Sequence, residues 1–432
     1  MRGSWWRCGG LLLIGGMGSD AAFGSGFALN AQGARDIGQA FSGRVVEAAT
    51  ATTIGDNPAG LALLDAPTAS AGFALIDAYT DISDASGSVG ATRVKGTNRG
   101  DMVPSTTVPF GYYAQPLDPH WAIGFGVYVP FGLITDYERD FQGRYFGTRS
   151  KLWAVTAQPT IAYRFENGWS LGAGPTFNRM NAEIDKTIYN ALDASHDVDA
   201  GFSGDDTAWG FNVGALYRWS ENTRWGVSYF SRVSYTLDGH TALDGLPPAV
   251  NATPTQRYPA SLALTTPDKI DIGFSHAPTA AWTFYGDATL TRWSRLRELT
   301  VINDGAPTAP IDLSHSTEDF RWRDAWCYAL GATYRWNDTW LLRTGVAYDV
   351  SPVPDSTRGV RVPIGDRTLL GLGATWNATS AFSVDVSYLY LHEQRATVDR
   401  EDVAPVTGQA IRYRADYENS ANIVGVQFNW KL

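Results

Sequence analysis

The most restrictive feature of this sequence is alternation with a period of two. In the last nine residues Val424, Val426, Phe428, Trp430 and Leu432 fall on one face of an extended chain, and Gly425, Gln427, Asn429 and Lys431 on the other. The same pattern recurs at Trp121 to Val129 and at Leu341 to Val350, where Leu342, Thr344, Val346 and Tyr348 oppose Arg343 and Asp349. Beyond the N-terminal segment no run reaches the roughly 18 apolar residues that a membrane helix needs. An exported chain of this kind is a soluble β protein or a membrane β-barrel. A sandwich or propeller is the alternative to the barrel at this point.

Turn signals separate the strands at Pro116 to Pro119, Glu166 to Gly168, Ser220 to Asn222, Ala277 to Thr279, Trp336 to Asp338 and Asn377 to Thr379. The intervals between them are long enough for two strands and a polar loop, so these turns divide the chain into seven strand pairs. Fourteen strands, short turns on one side and long loops on the other are the pattern of an outer-membrane barrel whose termini share the short-turn side. The long loops are expected at 80–105, 133–150, 181–206, 239–258, 303–316, 351–365 and 399–409. The composition agrees: 45 Gly, 16 Trp, 20 Tyr and 19 Phe suggest β-structure, and Tyr and Trp near strand ends suit interfacial girdles. With 34 Lys+Arg against 44 Asp+Glu and no basic run, nucleic acid is excluded as a partner.

Residues 1–24 read as an export signal. Arg2 and Arg7 precede the apolar Leu11 to Ile14, and Ala22-Phe23-Gly24 has cleavage spacing. Cys8 lies ahead of the apolar stretch, the wrong place for lipid modification, and Cys327 reads as an inert thiol. Residues 25–66 are rich in Ala and Gly, carry apolar side chains such as Ile37, Phe41, Val45 and Ile54, and lack strand alternation. A barrel of fourteen strands is too wide for wall side chains to fill, so this segment is expected to be a partly helical plug, with the barrel over 67–432.

Ser25-Gly26-Phe27-Ala28-Leu29-Asn30, Ala40-Phe41-Ser42-Gly43, Asn57-Pro58-Ala59-Gly60, Gly132-Leu133-Ile134-Thr135 and Arg343 to Asp349 followed by Ser351-Pro352-Val353-Pro354 resemble the FadL family of outer-membrane transporters for long-chain fatty acids and other hydrophobic compounds. The resemblance implies a plugged barrel, extracellular capture, and lateral release through a gap beside a kinked third strand. It also implies a multi-pass protein of the bacterial outer membrane, a monomer inserted by the barrel assembly machinery among lipid and lipopolysaccharide. Leu432 departs from the terminal aromatic common in such barrels.

Pro130 lies inside the third predicted strand and cannot donate a ladder hydrogen bond, which predicts a bulge or opening there, or the end of that strand. With Gly132 it is the candidate lateral gate. Asn57-Pro58-Ala59 forms a rigid turn and is the candidate plug latch against that kink. A basic residue in an apolar pocket would orient an anionic substrate. By resemblance Arg323 takes the family's lysine position in the tenth strand, and the fifth-strand position falls on Asn181, with Arg179 two residues earlier on the same face. The loss of a charge at Asn181 admits neutral aromatic hydrocarbons as an alternative substrate class. Either arginine could instead pair with lumenal acids. Capture from outside is assigned to Phe131, Leu133, Ile134, Tyr137, Phe141, Tyr145 and Phe146, and to Leu243, Leu246 and Val250.

The six histidines show no metal-protease spacing, and no nucleophile elbow, phosphate loop or Cys/His cluster is present. The expected protein is therefore not an enzyme and carries no cofactor or metal. A barrel hydrolase and an open porin are the remaining alternatives, and a porin would need no plug.

Overall fold

The computed structural model describes residues 26–192, 197–247, 253, 255–309, 312–405 and 407–432. The expected leader and Val250 lie outside the described residues. The chain forms a closed antiparallel barrel of 14 strands. The first six are β1 (Thr68–Val89), β2 (Thr106–Pro116), β3 (Trp121–Asp136), β4 (Arg149–Arg164), β5 (Trp169–Ile188) and β6 (Val198–Arg218). Four interrupted strands follow: β7 (Thr223–Phe230 and Val233–Asp244), β8 (Gln256–Thr266 and Lys269–His276), β9 (Trp282–Thr291 and Glu298–Asn303) and β10 (His315–Asp319 and Ala325–Arg335). The set is completed by β11 (Trp340–Asp349), β12 (Arg367–Asn377), β13 (Phe382–Glu393 and Ala396–Val403) and β14 (Ala410–Lys431). The ladder between β1 and β14, from Thr68↔Lys431 to Val89↔Ile411, closes the ring.

All six short turns fall where the turn signals lie. The loop expectation differs. Residues 80–89, 181–188, 198–206 and 239–244 are strand, because β1, β5, β6 and β7 continue past the apolar band. Their outward side chains there meet water, as Ser203, Asp205 and Asp238 do, so the alternation that marks a membrane strand is lost.

Apolar side chains on the outer face, among them Leu75, Phe125, Ile161, Leu171, Val227, Ile272, Leu330, Leu372 and Val386, are exposed and form the band. Trp121, Trp169, Trp225, Trp282, Trp340, Trp376 and Trp430 girdle it beside the short turns. A soluble sandwich would have buried these side chains. Among the described residues no helix is long and apolar enough to cross a membrane.

Inside the ring sits the segment from Gly26 to Leu64, almost wholly buried. It contains two short helices, α1 (Ala34–Gly38) and α2 (Thr53–Asp56), and a 3₁₀ turn over Pro58–Leu63. Glycines on the lumenal face let its backbone approach the wall. A Cβ on Gly345 would overlap the Gln39 carbonyl oxygen, one on Gly172 the Pro58 carbonyl, and one on Gly214 the Asn57 side chain. Gly345→Ala is expected to lower stability by about 1–3 kcal/mol through overpacking. Gly111→Ala, where a Cβ meets nothing within 4 Å, should be near neutral. The temperature at which the folded band disappears on unheated gels checks both.

Candidate functional site

The ladder between β2 and β3 runs from Pro116↔Ala122 to Gly111↔Val127 and stops, although β2 begins at Thr106. On its other edge β3 pairs with β4, with a register irregularity between Tyr128 and Phe131 that contains Pro130. Above Val127 the β2-facing edge of β3 is taken over by the plug. Leu29 N donates to Pro130 O at 2.8 Å, Gly132 N donates to Phe27 O at 3.0 Å, and Ala28 bridges to Phe131. Three plug residues thus stand in for the missing stretch of wall.

An aromatic cluster backs this contact. Phe27 lies with its ring centroid 4.6 Å from Trp293, 5.8 Å from Trp322 and 6.0 Å from Phe131. Trp293 belongs to the 3₁₀ turn Trp293–Arg295 that interrupts β9, and Trp322 to the gap in β10, so both breaks turn an indole inward. Gly26, at φ +67, lies between the two indoles, and a Cβ there would come within 2.7 Å of each. Both indole N–H groups are buried without a hydrogen-bond partner among the described residues.

Two small cavities flank the kink. One, of about 50 Å³, lies between the upper parts of β1 and β3 and is lined by Val103, Leu133, Ile134, Val362, Ile364 and Leu391. Arg361 and Arg367 form its charged margin, held by Glu318 at 2.8 Å and Glu393 at 2.9 Å respectively. The other, of about 60 Å³, follows the plug from Leu29 and Pro130 round to Phe211, Phe230 and Lys269. A third, polar cavity of about 540 Å³ opens on the short-turn side beneath the plug.

Buried charge fastens the plug at two places. Arg35 Nε donates to Asp385 at 3.0 Å, and Asp385 also faces Arg343 of β11 at 3.3 Å and accepts from Asn429 at 2.6 Å. Opposite, Arg44 reaches Asp271 at 3.0 Å and Thr289 at 2.8 Å, while Gly43 N donates to Asp287. Arg35, Arg343 and Arg44 each face a carboxylate, the condition under which buried ions are tolerated. Burial also acts on the plug's own acids. It pushes the Asp56 carboxyl up to about 7 against the opposing pull of Arg44 and Lys269. Asp36 is likewise raised, by burial and by Asp56 and Glu47.

The residues singled out from the sequence fall as follows. Asn57 is fully buried and donates to Val45 O at 2.7 Å and Ala215 O at 3.2 Å, and Pro58 and Ala59 pack on Gly172 of β5. The turn therefore locks plug to β5 and β6, and the kink is held by Phe27 to Leu29 instead. Arg179 and Asn181 correct the expected facing. Arg179 is exposed on the outer face and pairs with Asp205 at 3.0 Å, and Asn181 shares that parity, while Asn178, Met180 and Ala182 face inward. A one-residue difference in register reverses every side chain of a strand. Arg323 is exposed in the gap of β10, where the buried side chain is its neighbour Trp322. Of the residues assigned to outside capture, Tyr137 and Phe141 are stacked at 4.0 Å and buried against Tyr413, Tyr417 and Val360. Tyr145 and Phe146 are half-buried, and Leu243 and Leu246 are buried with Val198 and Leu313. Leu133 and Ile134 line the smaller cavity. Arg361, Arg367 and Lys269 had no marked motif, although the inward parity of Lys269 with Asp271 was available as a signal.

A membrane barrel with an apolar band, aromatic girdle and buried plug is an outer-membrane protein of the transport class. The family profile described as outer membrane protein transport protein (OMPP1/FadL/TodX) matches residues 15–432, and the chain belongs to that family, in the bacterial outer membrane. It is 28% identical over 441 residues to a long-chain fatty acid transport protein of Escherichia coli O6:H1, with 95% of each chain covered. Its fold is similar to the crystal structure of a Pseudomonas aeruginosa FadL homologue, at a TM-score of 0.84 and 20% identity, covering 94% of this chain and 100% of that one. The Pseudomonas putida toluene transporter TodX is similar at a TM-score of 0.68 and 15% identity, with 93% and 98% covered.

Two expectations follow for the plug. Asp385→Ala leaves Arg343 buried and unpaired and Arg35 with Glu47 as its remaining partner, a loss of about 3–5 kcal/mol. The plug should loosen, seen as raised single-channel conductance in planar bilayers. The second concerns pH. The docked plug retains at Asp56 a proton that a free carboxyl loses near pH 4, so this group's contribution to docking falls as pH rises from there to about 7. Conductance should rise over that window in the native chain and less in Asp56→Asn.

Proposed function

We propose that this chain passively takes up long-chain fatty acids or similar hydrophobic molecules and releases them sideways at the β3 kink. The observation that carries this reading is the exchange of partners along β3, where the ladder to β2 ends and Phe27 to Leu29 of the plug complete the edge. Withdrawal of those residues would leave a gap in the wall at membrane height. An apolar molecule leaving through it would never cross water, so the hydrophobic effect opposes release little.

The cavity beside Leu133, Ile134 and Leu391 is the substrate pocket in this reading, with Arg361 and Arg367 at its charged margin to meet a carboxylate. They take the role expected of Arg323 and Arg179, which are exposed. Aromatic hydrocarbons are the second reading. The ring cluster of Phe27, Phe131, Trp293 and Trp322 favours it by offering aromatic surface beside the kink. The similarity to a long-chain fatty acid transport protein along the whole chain supports the first.

Locking the plug to the kink tests the mechanism. Ala28 and Phe131 face each other as a non-hydrogen-bonded antiparallel pair, close enough for a disulfide. Ala28→Cys with Phe131→Cys should abolish uptake of labelled oleate when oxidised and restore it with reductant. Uptake that continues in the oxidised protein would exclude release at the kink. Arg361→Ala should lower oleate uptake several-fold and leave toluene uptake unchanged, and an equal loss of both would remove the carboxylate role.

A further inference from the structure

Besides the breaks in β8 to β10, the wall is interrupted between β6 and β7. Their ladder runs from Arg218↔Arg224 to Asn212↔Phe230 and resumes only from Asp205↔Asp238 to Asp199↔Asp244. In between, Ser231 N donates to Phe211 O at 2.9 Å, and two further amides turn to side chains. Phe211 N donates to Ser231 Oγ at 2.8 Å, and Thr236 N to Asp206 Oδ2 at 2.7 Å. Such substitutions satisfy the backbone without drawing the strands together. The interruption also lies level with the kink. Trp209 is nine residues from Arg218 at the short-turn end of β6, as Pro130 is from Trp121 in β3.

The cavity of about 60 Å³ joins the two breaks. Its lining includes Pro130 and Phe131 at the kink and Phe211, Phe230 and Ser231 at the interruption. Phe211 is 48% exposed on the outer face, so the cavity extends to the wall. Gly210 lets β6 pack closely on its neighbours at this level, because a Cβ there would approach Val233, Thr176 and Ser231 at 2.7–2.9 Å. Outside, Phe177 and Trp209 present an apolar rim, with ring centroids 3.6 Å apart.

The inner end is charged. Lys269 lines the cavity with its Nζ 3.1 Å from Asp271 and 4.1 Å from the Phe230 ring centroid. An ammonium has three donors, and Asp271 takes one. Thr176, Asn178 and Thr291 add polar side chains to the same lining. A cation at one end and aromatic side chains at the other match a molecule with one anionic head and one alkyl chain.

We propose that the interruption between β6 and β7 is a second lateral window, and that its cavity holds the carboxylate of a single-chain amphiphile at Lys269 while the chain passes out beneath Trp209. The proposal rests on the reading of this protein as a carrier of hydrophobic molecules. It adds a second point of exchange with the membrane, on the far side of the plug contact from the Arg361 pocket.

The test is photolabelling of the full chain in lipid nanodiscs with a long-chain fatty acid that carries a diazirine near its methyl end, mapped by peptide mass spectrometry. Adducts are expected on residues 207–211 and 230–235. Lys269→Gln should reduce them about tenfold, as loss of a charge-assisted bond predicts, and Lys269→Arg should keep most of them. The fatty alcohol of the same length should label both proteins equally. A disulfide between Trp209→Cys and Ser234→Cys, in a Cys327→Ser background, should suppress labelling until reductant is added, which controls for folding within one sample. Adducts confined to 128–134 and 362–364 would overturn the window. Equal labelling in Lys269→Gln would overturn the carboxylate site. Absence of adducts anywhere in the chain, with uptake no better than in cells lacking it, would overturn the carrier reading as well.

Discussion

A strand edge inside a bilayer cannot be left without hydrogen-bond partners, and this constraint organises the molecule. Closure of β1 on β14 satisfies it around most of the ring. At β3 the proline and the register irregularity draw the strand away from β2, and the plug supplies the partners that β2 no longer provides. The plug is thus part of the wall as well as an obstruction in the lumen. That makes its position the natural control on whether the wall is open.

The same plug must be held firmly enough to close the barrel and yet be able to shift locally. The structure separates these demands. The Arg35 and Arg343 pairing with Asp385, the Arg44 pairing with Asp271 and the Asn57 turn fasten it to distant parts of the wall. The Phe27 to Leu29 segment, by contrast, is attached to β3 by two backbone hydrogen bonds and to the aromatic cluster by ring contacts. Local withdrawal of three residues demands far less than extraction of the buried charges, since breaking one such pair alone costs about 3–5 kcal/mol. The opening this favours is local, at the N-terminal end of the plug.

Much of the architecture was legible in the residues. Six turns and the alternation between them define the strands, and the absence of alternation before Thr68 marks the plug. Pro130 announces the kink because a proline has no amide hydrogen to give the ladder. The site was less legible. Arg179 and Asn181 look lumenal by analogy, yet the parity of β5 points Asn178 and Met180 inward. Arg323 sits where β10 is broken, and across a break the period of two no longer predicts direction. The charged residues at the cavities, Arg361, Arg367 and Lys269, come from a loop and from strands far apart in sequence, so no spacing connects them.

The sequence alone determined a plugged barrel of the outer membrane, because period-two alternation, short turns and unfillable lumen width follow from local chemistry and strand number. Only the tertiary structure decided which basic side chains face the lumen, which plug residues complete β3, and that β6 and β7 part level with the kink. These depend on register and on contacts between segments hundreds of residues apart, such as Arg35 with Asp385. A shift of one residue in pairing leaves the local pattern intact and reverses what every side chain meets.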